Sequence, residues 1–254
     1  MFLAIDVGNS NIVIGLMEGR RVLHSMRSST SLERTSDEYA FQLMEFCSLC
    51  RVDHTAIQGA ILSSVVPKLK RGFREAVSRA FGLDVMVVGP GVRSGLNICI
   101  DQPAELGSDL VVDAVAALEL YGAPLAVIDM GTATTISVLD PGKRYIGGLI
   151  IPGMSIASEA LARRTSQLRR IALEAPVRII GRNTGDCMRS GAVYGHAAML
   201  DGLLDRLEES CGYPLTAVIT GGLAPEVYPH CRHSLHYEAD LMLIGLALIR
   251  ERNT

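Results

Sequence analysis

The chain has 254 residues, 48% of them hydrophobic, and a formal net charge of −3. That is enough apolar material for one large core or two modest ones. With no basic stripe, no tryptophan and 5% aromatic residues, the composition argues against a nucleic-acid partner, whether held by charge or by base stacking. No apolar run reaches the roughly 18 residues needed to span a bilayer. The first residues lack a basic, cleavable leader pattern. A cytoplasmic protein without a membrane partner is expected.

Taken in chain order, two periodicities alternate. "MFLAIDV", "NIVIGLME" and "RVLHSMRSS" read as three strands joined by short turns. "TSDEYAFQLMEFCSLCRV" reads as a helix capped by Ser36, with Asp37 and Glu38 in its first turn. "GAILSSVVP" is a buried strand closed by Pro67. "KLKRGFREAVSRAFG" is an amphipathic helix ending at Gly82, and "DVMVVGPG" is a further strand. "PAELGSDLVVDAVAALELYGA" gives a long helix with Gly122 beyond its end. "PLAVIDMGTATTISVLDPGKRYIGGLIIPG" repeats the strand–turn–strand–turn–strand pattern. Two helices, "SIASEALARRTSQL" and "GDCMRSGAVYGHAAMLDGLLDRLEES", follow. The strand "LTAVITGG" and the helix "DLMLIGLALIRERN" close the chain.

The six cysteines are scattered through an apolar chain, which fits reduced thiols. Cys47 and Cys50 have CxxC spacing, but no second pair completes a zinc site, and two core-facing helix cysteines are the simpler reading. His230, Cys231, His233 and His236 cluster in "HCRHSLH". No acidic ligand accompanies them, so a polar loop running into a strand is expected there.

"AIDVGNSNIVIGL" lies over "VIDMGTATTISVL" at a constant offset of 123 residues, with Asp6 on Asp129, Gly8 on Gly131, Asn11 on Thr134 and Leu16 on Leu139. A single echo at half length implies two similar α/β domains, divided as 1–115 and 116–254. A carboxylate at a strand end is costly to desolvate unless something pairs with it. Glycine two residues on lets the backbone turn tightly and approach a ligand. The small polar residues that follow offer donors beside exposed N–H groups, an arrangement that suits phosphate. The carboxylate suits a divalent cation or its water shell. Two such turns fit a phosphoryl-transfer site, and the chain has no GxxxxGK[ST] loop.

"DVGNSN", "DMGTATT", "GGLIIPG" and "TGG" resemble the phosphate and adenosine motifs of the actin, Hsp70 and sugar-kinase superfamily. The ordered set "IDVGNSN", "SSVVP", "PAELGSD", "VIDMGTATT", "YIGGLIIPG" and "GRNTGDCMRSGAVYG" resembles type III pantothenate kinase over nearly the whole chain. The resemblance implies two ribonuclease H-like domains, each a mixed five-stranded sheet flanked by helices, with an interdomain nucleotide cleft. It implies ATP-dependent phosphorylation of pantothenate, the first step toward coenzyme A, and a homodimer.

Residue by residue, the resemblance implies that Asp6 organises magnesium, through water, and phosphate. The first phosphate loop is Val7, Gly8, Asn9, Ser10, Asn11, Ile12 and Val13. Asp129 matches the ligand of a monovalent cation, potassium or ammonium. Thr132 matches a phosphate contact, and Gly221 and Gly222 the turn near adenosine. Gly107, Ser108, Asp109 and Leu110 match the substrate segment, with Asp109 as general base, and Thr184 matches a substrate contact. From spacing alone, Asp109 and Thr184 read equally as helix N-caps.

The substrate segment departs from the family pattern at three places. Leu110 stands where the family usually has Arg, Asp113 where it has Asn, and Ile100 where Tyr is common. Arg163, Arg164, Arg169 or Arg170 is a candidate replacement cation. The alternatives to a pantothenate kinase are a kinase for another small alcohol and a catalytically weakened nucleotide-binding paralogue.

Overall fold

The computed structural model describes the whole chain, Met1–Thr254. The α/β chain groups into two units. One is Met1–Leu96 with Asp101–Ala116 and Asp240–Thr254; the other is Asn97–Ile100 with Ala117–Ala239.

In the first unit, β1 (Phe2–Val7), β2 (Asn11–Glu18) and β3 (Arg21–Ser29) form an antiparallel meander. β4 (Ala60–Ser64) and β5 (Val85–Val87) extend it in parallel, giving the order β3-β2-β1-β4-β5. The period-2 alternation of a strand sends successive side chains to opposite faces. Leu3, Ile5, Ile12 and Ile14 therefore pack against α1 (Ser36–Leu49) and α2 (Pro67–Phe81), through Tyr39, Leu43, Phe73 and Val77. Phe2, Ala4, Met17 and Ile61 face the other way. They meet Val112 and Val115 of α3 (Ser108–Tyr121), and Leu243 and Leu246 of α7 (Leu241–Glu251).

That second cluster explains why the closing helix belongs with the first unit, where the sequence division had assigned 116–254 to the second domain. Gly15 leaves room for Leu243, whose Cδ1 would lie 2.8 Å from a Cβ there. Gly245 lets α7 press directly onto the Val112 backbone. The cap of α1 is Thr35 rather than Ser36. Its hydroxyl accepts from Glu38 N while the Glu38 carboxylate accepts from Thr35 N at 2.7 Å, a reciprocal capping box.

In the second unit, β7 (Leu125–Met130), β8 (Ala133–Leu139) and β9 (Arg144–Pro152) repeat the meander. β10 (Thr216–Thr220) and β11 (Leu235–Tyr237) lie parallel to β7. The sheet has six strands rather than the expected five, because the two-residue β6 (Asn97–Ile98) adds alongside β9. Ala126, Ile128, Ile136 and Val138 meet α5 (Thr184–Cys211) through Val193, Ala197 and Leu200. α4 (Met154–Arg164) and the short α6 (Ala224–Val227) complete that layer.

The two first hairpins are related, but the constant offset does not survive the turn. Val7 pairs with Ile12, whereas Met130 pairs with Thr134. The second turn is therefore one residue tighter, and beyond it the offset falls to 122. That puts Ile14 on Ile136 and Leu16 on Val138, all facing the helices of their own units. Keeping 123 would have put Leu16 on Leu139, on the opposite face, since a one-residue slip inverts every side chain of a strand.

Candidate functional site

In the first unit the β1–β2 turn carries Asp6, half-buried at the end of β1, and then Gly8, Asn9, Ser10 and Asn11, the last three exposed. Gly8 N–H donates to Asn11 O at 3.0 Å and closes the turn. Thr30, just past β3, ties the turn from outside. Its hydroxyl donates to Gly8 O at 2.7 Å and its N–H to Ser10 O at 3.0 Å. Binding the carbonyls backward suits a turn whose outward edge is to meet an anion, because a carbonyl oxygen would repel phosphate. Val7 and Ile12 are fully buried in the core, so any part they take in binding runs through their main chain; Val13 is half-buried.

The segment 107–110, for which a substrate role is expected, leads into α3 on one face of this same sheet. Ala4 packs in the α3–α7 cluster, and alternation puts Asp6 on that face too. Asp6 is paired in register with Ser63 of β4. The Ser63 and Ser108 hydroxyls are hydrogen-bonded at 3.1 Å, so the start of α3 is fastened beside the carboxyl end of β1. Gly107 supplies the first helical acceptor, its carbonyl bonding Val111 N–H at 3.2 Å. Asp109 is thus inside the first turn and is not the cap.

The half-buried Asp109 carboxylate accepts from Leu110 N–H at 2.9 Å. A Cβ at Gly107 would collide with Asp109 Oδ1. Burial pushes the Asp109 carboxyl above the usual carboxylate range, and the Leu110 N–H offsets part of that rise. Leu110 is half-buried, and Asp113 is 4% exposed.

In the second unit the β7–β8 turn is closed by Gly131 N–H donating to Ala133 O at 3.1 Å. Asp129 is held between two glycines. A Cβ at Gly221 would lie 2.6 Å from Asp129 Oδ1, and one at Gly131 would lie 3.4 Å from Oδ2. Gly221 lies at φ +101° just past β10, and a Cβ there would also lie 2.6 Å from Met130 N. A Cβ at Gly153, at the head of α4, would collide with the carbonyls of Gly131 and Thr132. These contacts leave no room for a side chain at 153 or 221 and pack backbone closely around the Asp129 carboxylate. Gly222 is exposed. Thr184 is exposed at the first position of α5; the cap is Asn183, whose side chain accepts from Asp186 N. A pocket lined by Arg178, Arg182 and Asp186 opens in the segment around it.

The cysteine and histidine clusters do other work. Cys47 is buried, Cys50 half-buried, and burial pushes both thiols up, away from thiolate chemistry. His230 and His236 lie against Tyr194 and Tyr121, while His233 Nε2 bonds Asp205 at 2.9 Å. Buried Asp201 holds the loop by accepting from the N–H groups of Arg232 and His233. No group of three or more His, Cys, Asp or Glu residues is arranged to hold a metal ion by itself. Arg163 and Arg170 face Glu159 at 3.4 and 3.9 Å. No helix is long and apolar enough to cross a membrane.

Sequence reasoning missed Thr30, Ser63 and Gly153. Ser63 and Gly153 lay in quoted motifs without a role of their own, and Thr30 gave no local signal.

Two mixed sheets, each opened by a carboxylate-bearing hairpin and flanked by helices, define the fold. The chain shares it with component A of (R)-2-hydroxyglutaryl-CoA dehydratase from Acidaminococcus fermentans, at TM-score 0.55 and 13% identity over 100% of this chain and 99% of that one. It shares it also with the activator of 2-hydroxyisocaproyl-CoA dehydratase from Clostridium difficile, at TM-score 0.54 and 11% identity over 99% and 95%. Residues 2–206 match the type III pantothenate kinase family. Type III pantothenate kinases from Exiguobacterium sp. and Myxococcus xanthus are 42% and 41% identical, each over 100% of this chain and 99% of the relative. The chain belongs to the type III pantothenate kinase family.

Proposed function

We propose that the chain transfers the γ-phosphoryl group of ATP to the primary hydroxyl of pantothenate, giving 4'-phosphopantothenate at the entry to coenzyme A biosynthesis. Beyond family membership, the observation that carries the assignment of roles is the held carboxylate of Asp109. Gly107 and Leu110 N–H fix its position, and burial raises its basicity. As the substrate oxygen attacks the γ-phosphorus, Asp109 takes the hydroxyl proton. The new O–P bond forms while the bond to the β-phosphate oxygen breaks, releasing ADP.

The first turn, Gly8 to Asn11, supplies N–H groups to phosphate. Magnesium carried with ATP neutralises phosphate charge, and the single carboxylate of Asp6 suits a magnesium ion that keeps most of its waters. Asp129, between its two glycines, would hold potassium or ammonium. Thr132 meets phosphate, Gly221 and Gly222 lie by adenosine, and Thr184 meets substrate. The enzyme works in the cytoplasm as a homodimer, and the small and apolar residues of α5 suit close helix packing.

The test is ADP release from purified protein with ATP, magnesium and potassium, with and without pantothenate. Pantothenate-dependent release, with a product one phosphoryl group heavier, is expected. Release that ignores pantothenate would refute the reading.

A further inference from the structure

We propose that Ser63 is a positioning residue for Asp109; this rests on reading Asp109 as the base. Ser63 is fully buried in β4, after Ala60, Ile61 and Leu62, which are 3%, 0% and 0% exposed. A hydroxyl there costs free energy unless it is partnered, and an alanine would meet the needs of the strand without that cost. The partner is Ser108, 45 residues along the chain at 3.1 Å. The neighbouring serine shows what a purely local role looks like. Ser64 points to the other face, donating to Val66 O and accepting from Val66 N–H at 3.1 Å each, which shapes the entry to α2.

The Ser63 bond reaches the residue between Gly107 and Asp109. Three restraints act on that segment: the close approach of Gly107 to the carboxylate, the Leu110 N–H bond, and the Ser63–Ser108 bond. The first two are internal to the segment. The third anchors it to the sheet, on a strand whose Ser63 is in register with Asp6. Ser63 therefore sets where the base stands relative to the first phosphate turn. Misplacing a reacting group by about 1 Å can cost on the order of a hundredfold in rate, so loosening this anchor is expected to cost roughly tenfold.

Ser63→Ala, Ser108→Ala and the double variant test this in the full-length enzyme. Each single variant should lower kcat roughly tenfold, and the double variant should fall no further, since both lose one bond. KM for ATP and the melting temperature should stay near wild type. The acid limb of the kcat profile should not move, because Ser63 does not touch the carboxylate. Ser108→Ala, on the more open side of the bond, keeps the test available if the buried variant fails to fold. Wild-type kcat in Ser63→Ala, or independent losses that multiply in the double variant, would overturn the proposal. So would a lowered melting temperature with normal turnover per folded molecule. Asp109→Asn run alongside separates the two readings. Full activity in that variant removes the base, and the role of Ser63 with it. Lost activity there with normal Ser63→Ala turnover removes only the positioning role.

Discussion

Gly221 and Asp129 meet across the β10–β7 pair: a Cβ at 221 would stand 2.6 Å from the Asp129 Oδ1. The strand pairing brings them together, with Thr220 in register with Asp129. Gly221 is also at φ +101°, where an L side chain is strained. Gly221→Ala combines a collision with that strain, which alone costs about 1–3 kcal/mol. The melting temperature should fall by roughly 2–12 °C, with weaker activation by potassium. Thermal unfolding and a potassium titration check both effects.

Gly107→Ala is expected to behave differently. The added methyl pushes on the Asp109 carboxylate, and φ at 107 lies outside the left-handed region. Stability should change little. Turnover should fall by up to about a hundredfold, while ATP affinity is kept. Steady-state kinetics beside a melting curve separate the two effects.

Much of this was legible in the sequence, because it depends on local patterns. Alternation marked β1 and β2, and Gly82 and Gly122 marked helix ends. Asp6 and Asp129 stood out as carboxylates in apolar strands. What was not legible depends on contacts between distant residues. Thr30 binds Gly8 O from the far side of a hairpin. Ser63 bonds Ser108. Leu243 returns to Ala4 and Phe2 from the other end of the chain. The one-residue slip after the second turn was hidden because Leu16 and Leu139 match as letters but face opposite sides of their sheets. Thr35 outcompeted Ser36 as a cap because Glu38 sits three residues beyond it.

Leu110 follows the proposed base Asp109 and is half-buried, so on the proposed reading an arginine there would bring a cation beside the acceptor. A charge-assisted bond to the carboxylate of pantothenate is worth about 1.5–3 kcal/mol. Leu110→Arg should therefore lower KM for pantothenate by roughly ten- to a hundredfold, with KM for ATP unchanged. Pantothenate titrations of the two proteins decide this.

Burial raises the Asp109 carboxyl in the folded state, so the ionised form is the costly one there. Its contribution favours folding only at low pH and is lost as pH rises through the folded-state value. Asp109→Asn should therefore melt no lower than wild type at pH 7, and the difference should shrink on acidification. Turnover has the opposite demand. The base must be ionised, so wild-type kcat should fall on acidification at a pH above the ordinary aspartate value of about 3.9. Melting curves and a kcat profile over the same pH range test both signs.

The most direct measurement is turnover of Asp109→Asn against wild type, with ATP and pantothenate both saturating and ATP binding measured in parallel. A loss of about a hundredfold or more in kcat, with ATP affinity within twofold of wild type, is expected of a carboxylate that accepts the substrate proton. Turnover within a few fold of wild type would contradict it.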